Sequence, residues 1–320
     1  MDSNYSESIV EKILFEPACA GANRLCISTE HATPSMVSWL LTSYRERDLD
    51  DISIELVVES VLDDGIDENS HKGFIELQRE YPANSGKTSF TCSYLCDNPK
   101  SKTNRYIWLY DEEPIQAFAC SYDFTQTSLL RTCRGFVENC AATDAYGLFR
   151  EMLNQTIYCN HAEVDDYIIV KSKDSALSSN EYSNLESCTL PLITERTGEP
   201  GTRSGLNWGQ RNNRNRNEAY IPLPREVSKS GFFPLNKQHF LVTTDDRHTL
   251  LLRVEQQNDK AITTPSSNAL LGEYFRNRLG LANGDYISGV HLKDYGRTDV
   301  TFYKIDDEQY YMDFSVLTTR

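Results

Sequence analysis

The chain has 320 residues, 39% hydrophobic and 11% aromatic, which is enough to build ordinary cores and excludes whole-chain disorder. No apolar run is long enough to span a bilayer, and Asp2, Glu7 and Glu11 precede any apolar stretch, so we expect no membrane association and a cytoplasmic protein. The formal net charge of −15 taken alone argues against a nucleic-acid partner, because affinity for phosphate comes mainly from lysine and arginine. Nine cysteines without small-scaffold spacing favour reduced, mostly buried thiols over disulfides.

The negative charge is concentrated in the first part of the chain. Residues 1–200 contain 16 lysines and arginines against 33 acidic residues, whereas residues 201–320 contain 16 against 14. Such asymmetry indicates two domains with different partners, and the carboxyl-terminal part is the candidate binder of nucleic acid. A soluble acidic half beside an ordinary half explains the charges equally well.

The first part predicts an α/β or α+β domain with a mixed sheet, which we place at residues 1–175. Apolar residues at helical spacing predict a helix over 34–44, and alternation predicts a strand over 52–58. The other predicted elements are helices over 73–80, 126–131 and 144–153 and strands over 89–95, 105–110 and 115–120. This order is typical of helices packed against a mixed sheet.

The second part is rich in predicted strands. Residues 171–205 are rich in Ser, Asn, Thr and Pro, and we assign 176–203 as a linker. A helix is predicted that Pro265 opens and Gly280 caps. Its predicted packed face consists of Leu270, Leu271, Tyr274, Phe275, Arg278 and Leu279. The predicted strands are 219–223, 239–243, 249–254, 299–305 and 310–316. Short strands at this spacing predict a small barrel or sandwich over residues 204–320.

Arginine and asparagine alternate in one segment of the second part. Arginine pairs bidentately with guanine or phosphate and asparagine with adenine, so this composition is typical of groove reading. A polar loop at 256–260 follows a strand and is a candidate for a second arm. The candidate DNA-contacting residues are Arg203, Trp208, Gln210, Arg211, Asn213, Arg214, Arg216, Gln256, Asn258 and Lys260. A solvated polar loop is the alternative interpretation.

Four strings in this part carry a resemblance to a known family. They are SGLNWGQR at 204–211, AYIPLP at 219–224, LGEYFRNRLGL at 271–281 and YGRTDVTFYK at 295–304. They resemble the carboxyl-terminal part of bacterial restriction endonucleases of the phospholipase D type. The resemblance implies a B3-like pseudobarrel of seven strands that reads a short sequence of double-stranded DNA with two arms.

The resemblance continues upstream and covers most of the chain. Its strings there are DDG at 63–65, HKGFIEL at 71–77, YLCD at 94–97, YIWL at 106–109, QAF at 116–118 and IYC at 157–159. In the family this region is a phospholipase D-like nuclease that forms half of a site and is completed by a second subunit. The resemblance implies a homodimer through this domain and a reaction without metal, so we expect no metal and no cofactor.

The catalytic motif of the family is altered at every position. The family has a His-x-Lys pair on a strand, an Asn after a Gly-Ser turn, and a Glu. Fitting through 94–97 and 106–108 places Lys102 at the histidine, Asn104 at the lysine, Asp123 at the asparagine and Gly135 at the glutamate. A protonated lysine is a poor nucleophile, and an uncharged asparagine cannot hold a developing phosphorane. We therefore predict a pseudo-nuclease without an intact catalytic site.

Several alternatives to this interpretation stay open. Cleavage can persist if the site is rearranged or if a partner subunit completes it, and bound DNA can instead recruit an effector in a defence sensor. Family members also work beside a helicase-like subunit, so we expect such a subunit or an active nuclease as a partner. His291-Leu-Lys293 resembles the motif superficially, but we interpret it as structural because it lies within the B3-like part. Asp63, Asp64, Asp67 and Glu68 are interpreted as a solvated acidic loop, with cation binding as the alternative.

Overall fold

A computed structural model describes residues 9–83, 88–97, 103–132, 134–171 and 184–316. The chain divides into two compact units, Met1–Lys173 and Asp174–Arg320, and each is described by itself. Lys102 lies outside the described residues. In the described ranges, no helix is both long enough and apolar enough to cross a membrane.

A mixed sheet of seven strands forms the centre of the first unit. Its order is β7-β6-β5-β1-β2-β4-β8. The strands of this unit are β1 Arg24–Thr29, β2 Ser53–Val58, β3 Ile66–Asp67, β4 Ser89–Leu95, β5 Asn104–Tyr110, β6 Glu113–Cys120, β7 Val137–Cys140, β8 Thr156–Tyr158 and β9 Val170–Lys171. Strands β1, β2 and β4 are parallel, whereas β5 runs antiparallel to β1. The start of β5 therefore lies at the same edge of the sheet as the end of β1.

Helices flank this sheet, as the order of predicted elements indicated. They are a π-helical turn Glu11–Phe15, α1 Glu16–Cys19, α2 Pro34–Glu46, α3 Val61–Asp64, α4 Glu68–Glu80, a second π-helical turn Thr127–Arg131, α5 Ala142–Leu153 and α6 Val164–Tyr167. Thr33 accepts a hydrogen bond from the Met36 N–H at the start of α2, and Asp67 accepts one from the Ser70 N–H at the start of α4. These side chains satisfy amide groups that a helix cannot pair internally. Helix α4 consequently begins five residues before the predicted range.

A second sheet of seven strands forms the second unit, in the order β10-β15-β16-β12-β13-β14-β11. The strands are β10 Ser187–Pro191, β11 Ile221–Pro222, β12 His239–Thr244, β13 Thr249–Glu255, β14 Ala261–Thr263, β15 Asp299–Lys304 and β16 Gln309–Asp313. The sheet curls until its edge strands β10 and β11 approach each other, which makes it a nearly closed barrel. Strand β10 pairs with β15, so the sheet of this unit includes residues within 176–203, the predicted linker.

The barrel encloses one hydrophobic core with a high aromatic content. Phe233 packs against Phe240, Phe302 and Tyr310, with ring centroids 5.2 to 5.5 Å apart. The helical elements of this unit are a 3-10 helix Gly205–Gln210, α7 Arg225–Ser230, α8 Asn268–Arg278 and α9 Gly289–Tyr295. Helix α8 lies within the range that Pro265 and Gly280 delimit, and the Ser267 side chain caps its first turn. The predicted packed face is confirmed at Leu271, Tyr274 and Phe275, which are buried. It is wrong at Leu270, which is 43% exposed, and it missed Arg276, which is fully buried.

Candidate nucleic-acid interface and degenerate nuclease site

The segment we call the arginine loop, residues 203–217, lies on the surface of the second unit. It begins with the 3-10 helix Gly205–Gln210, whose first part is buried. Residues 211–216 that follow are exposed, whereas Asn217 is buried again. Five candidate side chains therefore face solvent, namely Arg203, Arg211, Asn213, Arg214 and Arg216. Such exposure is required of groups that bind phosphate or bases.

Contacts within the loop hold its arginine side chains in place. The Arg214 guanidinium lies over the Trp208 ring at 4.0 Å from the centroid and forms an ion pair with Glu218. Trp208 in turn makes an edge-to-face contact with Tyr220 at 5.5 Å between ring centroids. Stacking on the Trp208 ring limits the side-chain conformations of Arg214, so less conformational freedom is lost when this guanidinium binds a ligand. Tyr220 and Glu218 were not among the predicted site residues, because neither has the chemistry of groove reading.

Arg211 and Arg216 are also held by the protein. Arg216 Nη1 donates to Gln210 Oε1 at 3.0 Å, and Gln210 Nε2 donates to the Gly284 carbonyl at 3.0 Å. Arg211 Nε donates to the Arg203 carbonyl at 2.8 Å. The sequence pattern identified these arginines as candidate site residues, but it could not predict which groups they contact, because the chain must fold to bring those groups together.

The segment we call the hairpin loop, residues 256–260, connects β13 to β14. Gln256, Asn258 and Asp259 have left-handed backbone conformations, with φ of 72°, 64° and 54°. Three such residues in a five-residue connection make a tight turn, which directs the side chains outward. Gln256, Asn258 and Lys260 are exposed, as reading by a second arm requires.

Strand pairing fixes where these two loops leave the barrel. Strand β11 is antiparallel to β14, with Ile221 opposite Ile262, and the Leu223 N–H donates to the Lys260 carbonyl at 2.8 Å. The arginine loop therefore precedes β11 at one end of β14, and the hairpin loop lies at the other end. The two loops therefore leave the barrel at opposite ends of the short strand β14.

In the first unit, Asn104 and Asp123 lie together at the edge where β1 ends and β5 begins. Asn104 is 6% exposed. Its Oδ1 accepts from the Thr29 hydroxyl at 2.9 Å and from the Glu30 N–H at 2.8 Å, while its Nδ2 donates to Asp123 Oδ1 at 3.2 Å. The amide is thus used to connect three strand ends. It has no charge with which to hold a phosphate.

The Asp123 carboxylate is the negative group of this edge. Burial raises the pKa of Asp123, and the charge of His31 and the hydrogen bonds from Asn104 and the His31 main chain offset part of that rise. Its backbone N–H donates to the Ser128 hydroxyl at 3.0 Å. A carboxylate here repels a phosphate at neutral pH. His31 was not among the predicted site residues, because it has no lysine two positions later.

Gly135 packs beside the same turn but contributes no acidic group. A Cβ at this position would meet Ser121 Oγ at 2.6 Å and the Tyr122 ring at 2.7 Å. The position therefore has no space for a glutamate unless Ser121 or Tyr122 moves. With Lys102 outside the described residues, the structure brings together two of the four predicted positions, Asn104 and Asp123, with Gly135 next to the turn before Asp123.

His291-Leu-Lys293 and the acidic segment 63–68 make contacts that stabilise helices. Ser288 and His291 form a capping box at the start of α9, where the Ser288 N–H donates to His291 Nδ1 at 3.2 Å. His291 and Lys293 lie two apart on a helix, so their side chains diverge. In the acidic segment 63–68, Asp67 caps α4 and Glu68 pairs with Lys72. Within the described residues, no group of three or more His, Cys, Asp or Glu side chains is arranged to hold a metal ion.

The first unit is a mixed α/β domain with Asn104 and Asp123 at the ends of its central strands, and the second is a B3-like pseudobarrel with an exposed arginine loop. This is the architecture of a DNA-binding restriction protein of the phospholipase D type. Two family models match. The NgoFVII restriction endonuclease N-terminal PLD domain matches residues 7–166, and the NgoFVII C-terminal B3-like DNA-binding domain matches residues 181–306. The chain belongs to the NgoFVII restriction endonuclease family, and its second unit is a B3-like DNA-binding domain.

Comparison with solved structures and curated proteins adds little to the family match. The structure of NucT from Helicobacter pylori is similar to 48% of this chain and is covered over 93% of its own length, with 11% sequence identity and a TM-score of 0.33. No curated protein matches the sequence.

Proposed function

We propose that this protein binds a short double-stranded DNA sequence in a bacterial restriction or defence system. The observation that carries the proposal is the exposed arginine loop of a B3-like DNA-binding domain, with Arg211, Arg214 and Arg216 held by protein contacts. Guanidinium groups of fixed orientation suit bidentate contacts to guanine, and the exposed hairpin loop supplies the amide groups of Gln256 and Asn258 and the charge of Lys260. Arg203, Trp208, Gln210 and Asn213 complete the proposed contact set on the first arm.

The first unit, in this proposal, does not cut DNA by the His-x-Lys route. The support is the hydrogen bonding of Asn104, whose amide joins Thr29, Glu30 and Asp123 and is not available to stabilise a phosphorane. The carboxylate of Asp123 adds repulsion toward a phosphate. Lys102 at the position of the nucleophile has the wrong protonation state for attack on phosphorus near neutral pH.

The first unit is proposed to serve assembly. Half-site nucleases of this type act as dimers, so a homodimer through residues 1–175 would present two barrels to DNA. With 28 acidic residues against 15 basic ones in residues 1–173, the first unit repels DNA and restricts binding to the second unit. A helicase-like subunit or an active nuclease then supplies the activity that this chain lacks.

Purified protein incubated with a pool of randomised duplex DNA tests the proposal, with and without divalent metal ions. Bound sequences and cut ends are scored in the same reaction. We expect enrichment of one short motif and no cut ends. No enrichment would refute sequence-specific binding, and cut ends at the motif would refute the pseudo-nuclease.

One observation favours cleavage by a rearranged site as a second candidate. The Phe124 N–H donates to the His31 carbonyl at 2.9 Å, so the exposed residue His31 lies beside the turn that carries Asp123, where the family has its site. Histidine is a common nucleophile and general base in enzymes. Replacement of His31 by Ala separates the candidates, because it abolishes any cutting only if this imidazole takes part.

A further inference from the structure

Arg276, in the last turns of α8, is a fully buried guanidinium beside the arginine loop. Its shortest hydrogen bonds run from Nε to the Asp285 carbonyl at 2.8 Å, from Nη1 to the Gly272 carbonyl at 3.1 Å and from Nη2 to the Arg216 carbonyl at 3.1 Å. Longer ones reach the carbonyls of Asn217 and Leu206, both at 3.4 Å. All five acceptors are main-chain groups.

These acceptors connect three segments of the chain. Gly272 belongs to α8 itself, and Asp285 belongs to the segment 282–287. The remaining acceptors, Leu206 and Arg216 with Asn217, lie near the beginning and near the end of the arginine loop. A single side chain therefore fixes both ends of the exposed stretch 211–216 relative to the barrel.

Two buried asparagines reinforce the same junction. The Ile287 N–H donates to Asn207 Oδ1 at 2.9 Å, and Asn207 Nδ2 donates back to the Ile287 carbonyl at 2.7 Å. Near the end of the loop, the Gly284 N–H donates to Asn217 Oδ1 at 2.6 Å. Close approach of the loop to α8 depends on Gly272, since a Cβ there would lie 1.6 Å from the Asn217 carbonyl oxygen.

Arg276 differs from its neighbour Arg278 in what it holds. Arg278 donates to both carboxylate oxygens of Asp245, at 2.9 and 2.6 Å, which is a usual arrangement for a buried arginine. Arg276 has carbonyl partners where Arg278 has a carboxylate, and burial lowers the pKa of Arg276. Only the five-donor fork of arginine can reach three segments at once, because lysine has three donors at one point.

We infer that Arg276 is a positioning residue that determines the sequence specificity of DNA binding by holding the arginine loop in its reading conformation. The inference rests on the proposed DNA-binding function. Base contacts demand fixed geometry, whereas attraction to phosphates does not, so a loosened loop keeps non-specific affinity and loses discrimination. A pre-ordered loop also avoids the entropy cost of ordering during binding.

The test compares Arg276→Lys with the matched control Arg278→Lys in the full chain. Both variants keep the charge and lie on the same helix, but only Arg276 contacts the arginine loop. Affinities are measured for a duplex carrying the selected motif and for a scrambled duplex, and hydrogen exchange is followed in residues 205–220 of the free protein. For Arg276→Lys we expect at least about a tenfold loss on the motif, a change within about twofold on the scrambled duplex, and faster exchange. Arg278→Lys should keep the ratio of the two affinities.

An unchanged affinity ratio with unchanged exchange in Arg276→Lys would overturn the inference. So would an equal fall in the ratio for both variants, because that would report general loosening of the barrel. If Arg276→Lys does not fold, Asn217→Ala removes the Gly284 contact at the end of the loop and should lower the ratio in the same way. If the wild-type protein shows no motif preference, the proposed function fails, and the exchange rates still decide whether Arg276 orders the loop.

Discussion

Replacement of Glu218 by Gln should strengthen non-specific DNA binding, because Glu218 competes with phosphate for Arg214. The side chains of this ion pair are 35% exposed for Arg214 and 20% exposed for Glu218. Partly exposed pairs contribute about 0.2 to 1 kcal/mol, so releasing Arg214 should tighten binding by roughly 1.4-fold to fivefold at low salt. If Arg214 then gains a phosphate contact, the slope of log K against log salt steepens by about 0.9.

Fluorescence anisotropy with motif and scrambled duplexes over a range of salt concentrations measures both effects. Asp307→Asn is the matched control, because it also removes one carboxylate from a surface ion pair, with Lys304, but lies in the turn between β15 and β16. We expect the control to leave the salt slope unchanged. Weaker binding of Glu218→Gln to the scrambled duplex, or a slope equal to that of the control, would refute competition between Glu218 and phosphate.

Three further predictions follow from the contacts of single residues. Arg211→Ala should weaken motif binding by about 1 to 3 kcal/mol in the same anisotropy assay, and a wild-type isotherm would contradict its place in the interface. Gly272→Ala should lower the free energy of unfolding, measured in urea, by about 1 to 3 kcal/mol. The control Gly147→Ala should raise the free energy of unfolding by about 0.5 to 1 kcal/mol, because Gly147 lies in the exposed part of α5 with open space around it. Asp123→Asn should raise the melting temperature at pH 7, because the raised pKa of Asp123 means that its ionised form destabilises the fold. This gain in melting temperature should shrink as the pH falls toward 3.8 and below, where the carboxyl is protonated in both the folded and the unfolded state. An equal gain at pH 7 and at pH 3 would contradict the prediction.

Periodicity predicted the elements whose burial is regular and missed those whose partners lie far along the chain. The strands at 89–95 and 105–110 were predicted within one residue, because alternation or continuous burial marks them. Strand β1 was missed although it lies at the centre of its sheet, since Arg24, Ser28 and Thr29 interrupt its apolar run. The order of strands also depends on pairing between distant segments, which no local pattern encodes.

The candidate interface shows a similar division. Composition identified the exposed arginines, because a dense run of arginine and asparagine has a recognisable chemistry. It could not identify Arg276, which looks like a solvent-exposed residue on a helix of low amphipathicity. Burial of Arg276 follows from the approach of the arginine loop to Gly272, which is a tertiary contact.

The charge distribution and the internal contacts of the arginines together favour discrimination over affinity. A net charge of −15 weakens long-range attraction to DNA, so encounter with a random sequence gains little. Two arginines of the loop must also exchange an existing partner when they contact DNA, which is Glu218 for Arg214 and Gln210 for Arg216. Only a duplex that offers several correctly placed acceptors at once compensates for these exchanges. We therefore expect a high ratio of specific to non-specific affinity in this protein, with most of the difference residing in the second unit.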